Sequence, residues 1–108
     1  MLKEAPRQAR PMSESELKRV VVEMAEKRGW RVYETPQTKP SRPVKRDSSK
    51  GMADLILARD EELRFLEIKD QHGSQSVYQF DWQWAIGPRY EVIRPSDLAR
   101  GRVDELLA

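Results

Sequence analysis

The sequence predicts an α/β protein with its elements in the order α-β-β-β-α-β-α. Three observations carry this. Residues 13–29 repeat apolar side chains at helical spacing. Residues 54–69 set two β-compatible apolar runs about a polar turn. A second helical stretch, 74–86, precedes another short apolar run. With 108 residues, 38% hydrophobic and 35% charged, the chain suits one domain over 13–108 with a single modest core.

Each element has a local cause. Residues 1–12 are polar, Pro-containing and aperiodic, and are expected to form a mobile tail. Ser13 is a good N-cap, and Glu16 three residues on completes a capping box. Leu17, Val20, Val21, Met24 and Ala25 then share one face. Gly29, after Lys27 and Arg28, marks the helix C-terminus. Trp30–Glu34 reads as the first strand. Residues 35–53 hold three prolines with Lys39, Arg42, Lys45, Arg46 and Lys50, and are expected to form a mobile basic flap that contacts phosphates. In the hairpin that follows, Leu55-Ile56-Leu57 and Phe65–Ile68 flank the turn Arg59-Asp60-Glu61-Glu62. The second helix should start near Ser74 or Ser76 and run to Ile86, where Gly87-Pro88 stops it. Trp82 is placed inward on it, on the side of Val77, Ala85 and Ile86, which leaves Trp84 outward. Tyr90–Arg94 reads as a strand. Pro95-Ser96-Asp97-Leu98 opens a last helix, which Gly101 shortens or breaks.

Composition narrows the function classes. The chain has no cysteine, hence neither a disulfide framework nor a thiolate metal site. No apolar run approaches a membrane span and the N-terminus lacks the apolar core of a signal peptide, so a cytoplasmic location is expected. Net charge is only +2, but residues 1–50 hold 13 Lys and Arg against 7 Asp and Glu, whereas residues 51–108 hold 7 against 11. A basic half of this kind suits a polyanion such as DNA.

The chemistry concentrates between Asp54 and Lys69. A turn centred between Asp60 and Glu61 pairs residues whose numbers sum to 121, which sets Asp54 opposite Glu67. Glu67 and Lys69, two apart, share a sheet face. Like charges opposite each other destabilise a sheet unless something offsets them, and a divalent cation held between the carboxylates does so. Hard oxygen ligands select Mg²⁺ or Mn²⁺, and the Ile68 carbonyl can add a further ligand. Lys69 beside them would orient or deprotonate a water and neutralise developing charge. Together these outline a metal-dependent phosphodiester-cleaving site. The plainer alternative is a surface ion pair of Glu67 with Lys69, worth little. Two more candidates lie on helices. Glu14 falls about 60° from Leu17 at 100° per residue, in line with Leu17, Val21 and Met24. An acid in a first turn is also favoured by the macrodipole alone, and Glu16 is better explained by capping. Gln79, one turn before Trp82, either reaches the site or is a surface glutamine. His72, the single histidine, makes neither a zinc site nor a serine triad.

A helix with an acid at its start, Gly-Trp-Arg-Val-Tyr, a basic loop, Lys50-Gly51-Met52-Ala53-Asp54-Leu55, Glu67-Ile68-Lys69 and Gln79-x-x-Trp82 resembles, in that order, the VRR-NUC domain of the PD-(D/E)XK nuclease superfamily. It is most similar to the stand-alone forms of bacteriophages and bacteria, over about residues 13–107. The resemblance implies a restriction-endonuclease-like core, a mixed central sheet flanked by helices. It also implies an Mg²⁺- or Mn²⁺-dependent, structure-selective endonuclease acting on branched DNA such as Holliday junctions or flaps, and a homodimer. Its active-site positions carry over onto Asp54, Glu67, Lys69, Glu14 and Gln79. Ala53 stands where the family usually has proline, and the basic loop is long. Two other readings remain open: a non-catalytic nucleic-acid-binding module of the same fold, and a protein-interaction domain in which the acids are incidental.

Overall fold

Each helix and strand starts or stops at a residue whose local chemistry requires it. The computed structural model describes residues 12–36 and 51–108; the basic residues Lys39, Arg42, Lys45, Arg46 and Lys50 lie outside them. Helix α1 spans Glu14–Lys27, with the Ser13 hydroxyl accepting from the Glu16 N–H at 3.2 Å and donating to the Glu16 carboxylate at 3.0 Å. It ends in a Schellman motif: Gly29, at φ +84°, donates to the Glu26 carbonyl and Trp30 to that of Ala25. Leu17, Val21 and Ala25 are fully buried, whereas Val20 and Met24 are half-buried. Met12, expected in the tail, packs against the core instead.

Strands β1 (Arg31–Glu34), β2 (Leu55–Arg59), β3 (Glu62–Ile68) and β4 (Tyr90–Ile93) form one sheet in the order β1-β2-β3-β4. The first three pair antiparallel, and β4 lies parallel to β3. The chain is thus an α/β fold with a mixed four-stranded sheet flanked by helices. Leu55 pairs with Leu66 and Ile56 with Phe65, the expected register. The β2–β3 turn takes positive φ at both Asp60 (49°) and Glu61 (69°), the type I′ signature that normally calls for glycine at the second position. Left-handed backbone costs a non-glycine residue about 1–2 kcal/mol, partly offset by the larger unfolded-state entropy of glycine. Glu61→Gly should therefore stabilise the fold by about 0.5–1 kcal/mol, raising Tm by roughly 3–6 °C in a thermal melt.

The two sheet faces differ. Leu55, Leu57, Leu66, Ile68 and Ile93 point to one face, where they meet Leu17, Val21 and Ala25 of α1 and Val103 and Leu107 near the C-terminus in a closed core. The last helical stretch is divided, as Gly101 foreshadowed: α3 is Pro95–Ala99, α4 is Arg102–Leu107, and Gly101 at φ +82° is the joint. Trp30 clamps this end, its indole N–H donating to the Leu107 carbonyl at 3.0 Å beneath the Arg59 guanidinium. Among the described residues the opposite face is covered only in part, by α2 (Val77–Ile86), which a 3₁₀ turn at Gly87–Arg89 joins to β4.

Helix α2 corrects one expectation. Its N-cap is Ser76 and it stops at Gly87, as its sequence implied. Trp82 and Ile86 are indeed half-buried, but Val77 and Ala85 are exposed and no residue of the helix is fully buried. Val77, Phe80 and Trp84 instead make a stripe facing solvent, Trp84 being 90% exposed. Periodicity placed an apolar side on the helix but could not say which side the sheet takes. Among the described residues no helix is long and apolar enough to cross a membrane.

Candidate active site

Strand alternation brings Asp54 and Glu67 to the partly covered face. Since Leu55 and Leu66 turn into the core, their neighbours Asp54 and Glu67 turn away from it. The backbone of Asp54 is held by β1: the Thr35 N–H donates to the Asp54 carbonyl at 2.9 Å, and the Thr35 hydroxyl to that of Ala53 at 2.6 Å. Its side chain does what a backbone carbonyl would do in a longer ladder, Oδ2 accepting from the Ile68 N–H at 2.7 Å. The N–H and C=O of one strand residue point to the same side, so the Ile68 carbonyl also opens toward β2 and Asp54.

Glu67 is 2% exposed, the one charged side chain buried among the described residues. Both its oxygens are engaged. Oε1 accepts from Gln79 Nε2 at 2.7 Å, and Oε2 from the Tyr90 hydroxyl at 3.1 Å. Gln79 is itself fixed, because its Oε1 accepts from the Ser76 N–H at 2.7 Å in the capping box of α2. One glutamine thus starts the helix and holds the carboxylate. Burial, then the charge of Asp54 and a hydrogen bond between the two carboxyl groups, push Glu67 from 4.5 up to about 8; Tyr90 and Lys69 act the other way. The Tyr90 hydroxyl is raised above its ordinary value, by burial first and the Glu67 charge second.

The other candidates take distinct places. Lys69 is half-buried one residue past β3, its N–H donating to the Ile93 carbonyl at 2.9 Å, and its charge reaches Glu67. Glu14 lies at the end of the core-side helix, where Oε1 accepts from the Asp70 N–H at 3.3 Å; it anchors the segment just after Lys69. Among the described residues no group of three or more His, Cys, Asp or Glu is disposed to hold a metal, so Glu14 does not extend the Asp54–Glu67 pair to a third carboxylate. His72 is exposed, and its N–H donates to Asp70 Oδ1 at 3.0 Å. Gly51 sits at φ +83° against the first turn of α2, where an added Cβ would come within 2.4 Å of the Tyr78 carbonyl carbon. Only glycine permits that approach, so the segment leading to Asp54 rests on the same turn that carries Gln79.

Thr35 and Tyr90 are the contributors the sequence reading missed. Arg31 pairs with Ala58, so β1–β2 partners sum to 89, and continuing that register brings Thr35 to Asp54. Tyr90 needed the parallel β3–β4 pairing of Glu67 with Val92, which puts Tyr90, two residues earlier, on the face of Glu67.

The donor set fits a hard divalent cation on one observation: two carboxyl groups, one buried, lie within hydrogen-bond reach of each other, and their proximity disfavours the charged form of Glu67. A search of family models, curated proteins and solved structures finds no match to the chain.

Proposed function

We propose that the chain is a divalent-metal-dependent endonuclease that hydrolyses DNA phosphodiester bonds, with a restriction-endonuclease-like core. The observation that carries the reading is the Asp54–Glu67 pair, one carboxylate buried and doubly held, with Lys69 close enough to act on it. Asp54, Glu67 and the Ile68 carbonyl would hold Mg²⁺ or Mn²⁺. Bound there, the cation supplies Lewis-acid polarisation of a phosphoryl oxygen. Lys69 would orient the attacking water and offset negative charge developing at phosphorus. Gln79 keeps Glu67 in place. The basic residues of 39–50 would meet the DNA backbone, and the expected preference for branched DNA rests on the family resemblance.

A two-copy assembly belongs to the same proposal. Val77, Phe80 and Trp84 form an outward apolar stripe on a helix whose single charged side chain is Asp81. Monomers rarely leave such patches uncovered. The three side chains offer on the order of 400 Å² per copy, so pairing the stripe with itself supplies the apolar centre of an interface of about 1,000 Å². Trp84→Glu should convert a dimer to a monomer by light scattering while the variant stays folded by circular dichroism, because Trp84 is 90% exposed among the described residues. A monomeric wild-type protein would remove this part of the reading.

The deciding assay incubates the protein with labelled four-way-junction, flap and plain duplex DNA in Mg²⁺, Mn²⁺ or EDTA. Cleavage in metal and none in EDTA is expected, with the branched substrates cut preferentially. Retarded DNA without a cut in any metal would replace the nuclease by a binding module.

A further inference from the structure

The grip on Glu67 comes from two elements, and only one of them was foreseeable. We infer that Tyr90 is a positioning residue for the proposed cation site, setting the rotation of the Glu67 carboxylate; the inference rests on the nuclease reading above. A glutamate's last torsion is soft and roughly two-fold, so a carboxylate held at one oxygen still swings. Gln79 holds Oε1 from the α2 side, and Tyr90 holds Oε2 from β4. With a donor on each oxygen the carboxylate plane is fixed, and its remaining lone pairs are left for the cation shared with Asp54.

Tyr90 is placed to do this without flexing. It is 3% exposed, and its backbone is registered opposite Phe65 by the parallel β3–β4 pairing. The 3₁₀ turn Gly87–Arg89 delivers the chain to it directly from the end of α2. The two donors are thus the start of α2 and the first residue after its connection, so one βαβ unit closes on the carboxylate from both sides. Groups that orient a metal ligand in this way typically govern metal affinity by 10–100-fold when removed.

Tyr90→Phe isolates the hydroxyl, because the ring and its packing stay. Three measurements are made on wild type and variant: a metal-free thermal melt, Mn²⁺ binding to the protein alone by electron paramagnetic resonance, and cleavage rate against Mn²⁺ concentration. The expected result is a folded variant whose Mn²⁺ dissociation constant rises about 10–100-fold. At saturating Mn²⁺ its kcat should return to within about threefold of wild type. A folded Tyr90→Phe protein with wild-type Mn²⁺ affinity overturns the role of Tyr90 while leaving the nuclease reading standing. A wild-type protein that binds no Mn²⁺ overturns the nuclease reading, and the Tyr90 role with it. A kcat loss that saturating Mn²⁺ does not restore also overturns it, since that would place the hydroxyl in the chemical step rather than in holding the ligand.

Discussion

Asp54→Asn, Glu67→Gln and Lys69→Ala are each expected to leave the protein folded and to lower metal-dependent cleavage by at least about 10²–10³-fold, the usual effect of deleting one group that stabilises transition-state charge. Folding survives for reasons specific to each position. An asparagine at 54 keeps an oxygen for the Ile68 N–H. A glutamine at 67 can present its oxygen to Gln79 and its amide to the Tyr90 hydroxyl, which can accept as well as donate. Lys69 holds β4 through its backbone, which alanine retains. Circular dichroism and a cleavage assay in Mn²⁺ check both halves of the statement. Full activity in any of the three would refute the assigned site. The effects should not add, because residues serving one transition state fail together.

The second large effect is on stability in the absence of metal. The folded-state value of Glu67 is raised, from 4.5 to about 8, chiefly by burial and by Asp54. Between those values the folded protein binds more protons than the unfolded chain, so stability falls as pH rises from about 4.5 to about 8 and stays low above that window. Glu67→Gln removes the ionisation. At pH 8 and above the variant should be the more stable by a few kcal/mol, or roughly 10 °C in Tm for a domain of this size. At pH 4 the two proteins should melt together. Mg²⁺ or Mn²⁺ at pH 8 should raise the Tm of wild type and leave that of the variant unchanged. A wild-type Tm that is flat or rising from pH 4.5 to 8 in EDTA would contradict the buried, unrelieved carboxylate pair.

Much of this arrangement was legible in the sequence where it depends on local chemistry. The turn at Asp60-Glu61 sets the register that brings Asp54 to Glu67, because in a tight hairpin the turn fixes every later pair. Ser13, Gly29, Ser76 and Gly101 each ended or began a helix where capping and left-handed backbone require it. What depends on non-local pairing was not legible. The parallel partner of β4 is chosen by the crossover through α2, so nothing near Tyr90 announces that its hydroxyl meets Glu67. Glu14 was readable as an inward-leaning acid, but the Asp70 N–H it would find was not. Trp84 was readable as outward, but Val77 was assigned to the inward side with Trp82 because an apolar residue was assumed to face its own sheet.

The separation of the two sheet faces has a consequence for how such a chain changes over generations. Where β2 begins and β3 ends, a core residue and an acid stand side by side, Leu55 and Leu66 inward, Asp54 and Glu67 outward. A substitution among the acids therefore disturbs no packing in the core, and one among the leucines alters no ligand directly. The scaffold can lose, regain or retune its chemistry by single replacements on one side while selection for folding acts on the other.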